Sequence, residues 1–272
     1  EGVFRGMNAL LPTRMVEKPW GRADLPPPFS VPHGAHVGEV WFEPPEALRD
    51  LLVKYLFTSE KLSVQVHPEG PQGKEECWLV LAADPGAMLG IGFRQDIDPA
   101  AMRAAALDGS IEDLLAWHPV RPGDFVYIPA GTVHAIGAGI ALIEIQQNCD
   151  VTYRLYDYGR PRELHLDAAI AAAHGRPHDP ALWRSLGENA ASLVDGPYFL
   201  LDLLYGPPDE AFAGKLAERY SAPFLVVPLS GQVSVGGEMV SSGQCALANS
   251  FADLAVAEGS QCLLARPCST GA

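Results

Sequence analysis

Apolar residues recur along this chain mostly in short alternating runs broken by glycine and proline, the pattern of strands joined by tight turns. The first forty residues are irregular and Pro-rich and end in the strand-like run GEVWFE, residues 38–43. Leu62, Val64 and Val66 alternate with polar neighbours. A second apolar run, Cys77 to Leu81, follows a turn containing Pro68, Gly70, Pro71 and Gly73. That spacing predicts a hairpin returning the second strand beside the first. Residues 121–148 alternate again, punctuated at Pro122-Gly123, Pro129, Gly131, Gly137 and Gly139. They suit a small antiparallel barrel.

Three segments carry helical spacing instead. Residues 45–56 place apolar side chains at Leu48, Leu51, Leu52, Tyr55 and Leu56. A second helical block covers roughly 99–117, with Pro99 in its first turn. A third, residues 163–175, closes at Gly175. Residues 175–189 read as a connector. Residues 196–268 return to short strands and contain no histidine. The expected architecture is mainly β. A metal-binding barrel with helical segments occupies 1–180, and a second β domain without metal ligands, structural or lid-supporting, occupies 190–272.

Composition sharpens this. The 27 glycines and 24 prolines are nearly a fifth of the 272 residues, against about 12% on average, and favour many short elements over a helical bundle. A net charge of −14 argues against a nucleic-acid or anionic-membrane partner. Any anionic small substrate then needs a local basic pocket. Five scattered cysteines without a CxxC pair read as reduced thiols, with one disulfide among Cys245, Cys262 and Cys268 as the alternative. No run approaches the roughly 18 apolar residues that span a bilayer, and the N-terminus has no signal-peptide pattern. The expectation is a cytoplasmic enzyme, a monomer or a small homo-oligomer.

The chemistry concentrates in residues 62–81 and around PAGTVHAI. Gln65 and His67, two apart on a strand, project to one side. Glu76 and His134 complete a set of two imidazoles, a carboxylate and an amide oxygen. Such a set suits zinc or a similar divalent ion with a position left for water or substrate. Cys77 points to the opposite face from Glu76 and reads as core, and alternation turns Glu75 outward.

GDFVYIPAGTVHAI resembles the second motif of the cupin barrels. LSVQVHP, GKEECW, PAGTVHAI, QQNCDVTYRLYDYGR and PRELHLDAA occur in the order and approximate spacing of the type I phosphomannose isomerases. The resemblance runs from Lys18-Pro19-Trp20-Gly21 to about Ala169, is weak after residue 190, and is nearest the short bacterial forms. It implies a cupin catalytic domain, a degenerate cupin-like second domain, and one Zn2+ per chain held by Gln65, His67, Glu76 and His134. It also implies interconversion of D-mannose 6-phosphate and D-fructose 6-phosphate. The family's active-site arginine falls on Arg154, a lysine near its substrate site on Lys74, and a residue near the sugar phosphate on Ser63. VHPEG and Glu75 depart from the common pattern and alter the adjacent loop.

The residues themselves suggest roles in such a site. Arg154, permanently charged, suits the phosphate or a developing enediolate. Lys74 suits phosphate contact or proton transfer. Glu144 is a candidate proton carrier or, equally, a partner for a ligating histidine. Arg160 and Arg162 are candidates to complete the phosphate pocket, against the reading of solvated loop arginines. His33, His36 and His118 have no assigned role, and His165 reads as a helix residue without chemistry. The rival readings are an iron-dependent oxygenase on the same scaffold and a non-catalytic sugar-phosphate-binding cupin.

Overall fold

The computed structural model describes residues 10–70 and 73–268. The chain runs through β1 (Thr13–Arg22), β2 (Val37–Phe42), β3 (Leu51–Phe57), β4 (Val64–Val66), β5 (Glu76–Ala83) and β6 (Met88–Phe93). Helices α1 (Pro99–Asp108) and α2 (Ile111–Leu114) follow, then β7 (Leu115–Pro119), β8 (Asp124–Ile128), β9 (His134–Ile136), β10 (Ile140–Gln147) and β11 (Tyr153–Tyr156). Helix α3 (Leu166–Ala172) and β12 (Trp183–Ser185) complete this part. The remainder is β13 (Ala191–Asp195), β14 (Phe199–Tyr205), α4 (Glu210–Arg219), β15 (Phe224–Ser230) and β16 (Val233–Val235). It ends with β17 (Glu238–Val240), β18 (Ala246–Ala248), β19 (Leu254–Val256) and β20 (Gln261–Pro267).

Two sheets enclose the site. One has the strand order β1-β2-β3-β10-β5-β8-β12, and the other β11-β4-β9-β6-β7. Strand alternation decides what each face does. In β4, Val64 and Val66 lie under the helices with Met102, Ala105 and Ala169, leaving Gln65 for the interior. In β10 and β5, Leu142, Trp78 and Val80 pack between the sheets with Leu62, Leu89 and Ile136. Their neighbours Ile143, Ile145, Cys77 and Leu79 point the other way and join one core with Leu201, Leu203, Leu225, Val227 and Leu263. Those partners belong to a second pair of sheets, β13-β14-β20-β15-β18 and β17-β16-β19. The two β units therefore share an apolar layer. The second keeps a core of its own around Leu216, Tyr220, Val233 and Leu264.

Several expectations are corrected. Residues 45–56 are not a helix: one 3-10 turn, Glu46–Leu48, precedes the strand β3. Every residue of β3 is buried, because Val53, Tyr55 and Phe57 face the second unit while Leu56 faces the barrel. A strand covered on both faces loses its alternation, and its apolar run imitates helical spacing. The block at 99–117 is helical only to Leu114. Leu115–Pro119 forms β7, paired with β6. The third helix stops at Ala173, whose backbone turns extended. Gly175 lies beyond it, packed so closely on Ile97 that a Cβ would meet the Ile97 carbonyl oxygen at 2.0 Å. The connector contributes β12, which adds to β8, and the Pro-rich start contributes the ten-residue β1.

The expected hairpin between residues 62–66 and 77–81 does not form. β4 pairs with β11 and β9, whereas β5 pairs with β10 and β8 in the opposite sheet. The connection crosses between sheets, and of its turn residues Pro71 lies outside the described ones. None of the five cysteines forms a disulfide among the described residues. No helix among the described residues is long and apolar enough to cross a membrane. Residues 1–9, the start of the N-terminus expected to carry no signal-peptide pattern, lie outside the described residues.

Candidate metal centre and substrate cavity

Strand register assembles the site. On one sheet Arg154 of β11 is opposite Gln65 of β4, which is opposite His134 of β9. Directly opposed residues share a face with Cβ atoms about 5 Å apart, so these three form a row. On the facing sheet Lys54 of β3, Glu144 of β10 and Trp78 of β5 form a second row, and Glu76 sits opposite Gln146. His67, just past β4, completes the group.

Two histidines have their tautomer fixed by the backbone. His67 Nδ1 is 2.9 Å from the Val151 carbonyl oxygen, and His134 Nδ1 is 2.8 Å from that of Thr132. A carbonyl only accepts, so each ring is protonated at Nδ1 and turns an Nε2 lone pair inward. There His67 Nε2 stands 3.6 Å from Glu76 Oε2, and His134 Nε2 stands 3.4 Å from Glu76 Oε1. One ligand atom from each lies within 4.8 Å of the others. Lone pairs facing a buried carboxylate repel unless a cation offsets them, as Lys74 Nζ, 3.3 Å from His67 Nε2, does on that side.

Glu76 is fully buried, and neither of its oxygens accepts a hydrogen bond of proper geometry, although Lys74 Nζ forms an ion pair with Oε2 at 2.7 Å. Native proteins rarely leave buried carboxylate oxygens so poorly satisfied. Gln65 Nε2 lies 3.4 Å from His134 Nε2, and its Oε1 accepts from Ser63 Oγ at 3.0 Å. Rotating the amide turns the oxygen inward and still satisfies Ser63, whose hydroxyl both donates and accepts. The donor set fits a divalent ion.

Electrostatics keep it ready for one. Burial pushes the His134 imidazole down to about 4, outweighing the pull of Glu76, so it is neutral at pH 7. Burial pushes the Glu76 carboxyl up, but the Lys74 ammonium beside it holds it well below the usual range. Burial also opposes the charge on Lys74, yet Glu144 and Glu76 raise its pKa above the ordinary lysine value. Lys74 is a permanent ammonium here.

Around this centre charges alternate. Lys74 Nζ is 3.4 Å from Glu144 Oε1, as is Lys54 Nζ. Trp78 Nε1 donates to Glu144 Oε2 at 2.9 Å. Lys54 also faces Glu39 at 4.0 Å, and Lys18 closes the chain on Glu39 at 3.2 Å. The chain borders a polar cavity of about 260 Å³ lined also by Ser63, Gln65, Arg154, Arg162 and His165. A larger cavity, about 970 Å³, lies elsewhere, beside Arg22, Lys61 and Trp117, and takes in none of the candidate ligands.

The structure thus brings Gln65, His67, Glu76, His134, Lys74, Glu144, Ser63 and Arg154 together. Glu144 meets two lysines and a tryptophan and is no partner to a ligating histidine. Arg160 is not brought in: its guanidinium is spent on Asp157, Glu60 and the Lys61 carbonyl. Cys77 lies in the core, its Sγ toward the Ile145 carbonyl. Glu75 is half-buried rather than exposed, accepting from the Tyr127 hydroxyl. Sequence reasoning missed Lys54, Glu39, Lys18 and His165. A lysine within an otherwise apolar strand was the available signal for Lys54.

No protein-family model matches the chain. It is 38% identical over 209 residues to the mannose-6-phosphate isomerase of Streptococcus mutans, covering 69% of this chain and 64% of that relative, less than two thirds of its length. It is 31% identical over 245 residues to a Bacillus subtilis protein named "Probable mannose-6-phosphate isomerase GmuF", covering 77% of this chain and 72% of the relative. The crystal structure of the Bacillus subtilis mannose 6-phosphate isomerase superposes with a TM-score of 0.73 at 22% identity, over 94% of this chain and 98% of that one. A mannose 6-phosphate isomerase solved with zinc bound superposes at 0.66 and 14% identity, over 95% and 99%. These structures establish the fold, a mainly β cupin architecture. The length and identity of the sequence matches carry more: this chain belongs to the mannose-6-phosphate isomerase family.

Proposed function

We propose that this chain interconverts D-mannose 6-phosphate and D-fructose 6-phosphate at a single zinc ion held by Gln65, His67, Glu76 and His134. The observation carrying this reading is the pair of tautomer-fixed imidazoles facing a buried carboxylate whose oxygens accept no hydrogen bond of proper geometry, with Gln65 and Lys74 bordering the adjoining polar cavity. When bound, zinc supplies Lewis-acid stabilisation for the oxyanion that develops as the sugar's carbon-bound proton leaves. Net isomerisation moves that proton from C2 to C1 and a hydroxyl proton from O2 to O1. Glu144 is the carboxylate placed to carry the carbon-bound proton. Lys74, held as an ammonium, is unsuited to act as a base and serves as a fixed positive charge beside the reacting oxygens. Arg154 takes the phosphoryl group, and Ser63 orients Gln65.

The spacing of the row supports a substrate of this length. Arg154 and His134 are two strand spacings apart, about 10 Å. An open-chain six-carbon sugar phosphate can span that gap. The same reading carries the cytoplasmic setting and the monomer or small homo-oligomer expected from the sequence. The test is zinc content together with a coupled mannose 6-phosphate assay. His134→Ala and Glu76→Ala are expected to lose metal and turnover together. Full activity in metal-stripped protein would sink the proposal. Exchange of the C2 proton with solvent separates catalysis from mere sugar-phosphate binding.

A further inference from the structure

The turn after β11 holds a feature that the metal centre does not explain. Tyr158 and Gly159 both adopt left-handed backbone, φ 55° and 77°, an arrangement that is unfavourable for a tyrosine. It doubles the chain back so that two arginines converge on Asp157, which is buried at 2% exposure. Arg162 grips that carboxylate as a fork, Nε to Oδ2 and Nη2 to Oδ1, both at 2.6 Å. Arg160 reaches Oδ1 through Nη1 at 3.1 Å. The trio keeps a net charge of +1.

The two arginines then diverge. Arg160 donates its other hydrogens to Glu60 and the Lys61 carbonyl and lies over the Tyr158 ring. Arg162 lines the cavity beside Arg154 and His165. Its fork uses Nε and Nη2 and leaves Nη1 outside the pairing with Asp157. Arg154 contributes a buried Nε that has no hydrogen-bond partner. Asp150 is the carboxylate that also borders this end of the cavity. Elsewhere along the cavity the lysines are matched by Glu39, Glu144 and Glu76. Cationic hydrogens remaining for a ligand are therefore concentrated at Arg154 and Arg162.

We propose that Arg162, oriented by Asp157, pairs with Arg154 to bind the substrate's phosphoryl group, and that Asp157 is a positioning residue which fixes where that group sits. This rests on the isomerase reading above for the identity of the substrate. A planar guanidinium already locked on a carboxylate loses little freedom when a phosphate docks on its outer edge. Asp157 acts through Arg162 and touches no substrate.

The test uses the zinc-loaded protein and two probes, mannose 6-phosphate turnover and calorimetric binding of inorganic phosphate. Arg162→Ala is expected to raise KM for mannose 6-phosphate about tenfold or more, to leave kcat nearly unchanged, and to weaken phosphate binding comparably. Arg162→Lys keeps the charge but loses the fork and should fall between wild type and Arg162→Ala. Asp157→Asn should shift KM in the same direction without lowering kcat. If that variant does not fold, Arg162→Lys still reads out the fork. Equal phosphate affinity in wild type and Arg162→Ala overturns the assignment, as does a loss seen with Arg160→Ala but not with Arg162→Ala. Absence of turnover in wild type would defeat the isomerase reading alone, because phosphate binding still reports on Arg162.

Discussion

Glu144 is the side chain on which the proposed chemistry turns, and its neighbours constrain what its loss can do. Lys54 and Lys74 share one oxygen, and Trp78 holds the other. Glu144→Gln keeps the shape and an acceptor for Trp78, so it should fold and bind zinc while kcat falls by about 10²–10⁴. A rate assay paired with metal analysis checks this. Lys74→Met should be harsher. It strips the nearest cation from Glu76 and one of two equidistant cations from Glu144, and should cost about 3–5 kcal/mol in denaturant unfolding.

His134 gives a pH dependence with a definite sign. Burial lowers its pKa from 6.5 to about 4 in the folded protein. Between those values the unfolded chain takes up a proton that the folded chain refuses, so acid favours unfolding. Metal-free protein should have full stability above about pH 6.5 and lose it progressively as the pH drops towards 4. Urea titrations at pH 7, 5.5 and 4.5 would show the slope, and His134→Gln should flatten it.

At the scale of elements, the turn that delivers His134 is built tightly. Gly131 has φ +79°, and a Cβ there would meet the His174 ring at 2.7 Å. The chain pairs back through Gly131 and His174, while His174 Nε2 meets Glu69 Oε1 at 3.0 Å. Gly131→Ala is therefore expected to destabilise the protein by about 1–3 kcal/mol. It should also weaken zinc retention against a chelator, since Thr132, whose carbonyl fixes the His134 tautomer, is the next residue.

Elements also explain what could be read in advance. The Val64-Gln65-Val66 alternation was legible because one face of β4 is apolar under helices and the other carries a ligand. β3 was not legible, because both its faces are covered. The hairpin expectation failed because adjacency in sequence says nothing about which sheet a strand joins. The four candidate ligands were visible as local motifs and their substrate context through family resemblance. The Asp157 fork and the Lys18-to-Glu76 charge chain were not, since they depend on which distant strands become neighbours.

For the whole molecule, the shared apolar layer couples the two β units. Leu201 and Leu263 from the second unit are fully buried in one cluster with Val53 and Ile143 from the first. Leu201→Ala should cost about 2–5 kcal/mol, although it lies outside the cavity. Calorimetry is expected to show a single transition at lower temperature, with zinc released in that same transition. Two separate transitions would refute the coupling. Charge is also organised at this scale: the chain carries −14 overall, yet Arg154 and Arg162 meet at one small cavity. Raising the salt concentration should therefore affect capture of an anionic sugar only modestly, because the long-range field repels it while the cavity attracts it.

The two-sided burial of β3 sets a limit for protein engineering. A minimal catalyst trimmed after residue 180 would retain each candidate ligand but bare Val53, Tyr55, Phe57, Ile143 and Ile145 as one greasy sheet face. Such a fragment should precipitate or pair with itself unless that face is redesigned with polar residues. Because Lys54 alternates with Val53 and Tyr55, the redesign would have to change every second residue without shifting the register by one. In this fold the smaller unit, which lacks the candidate ligands, is what allows a reactive strand to be apolar on its reverse side.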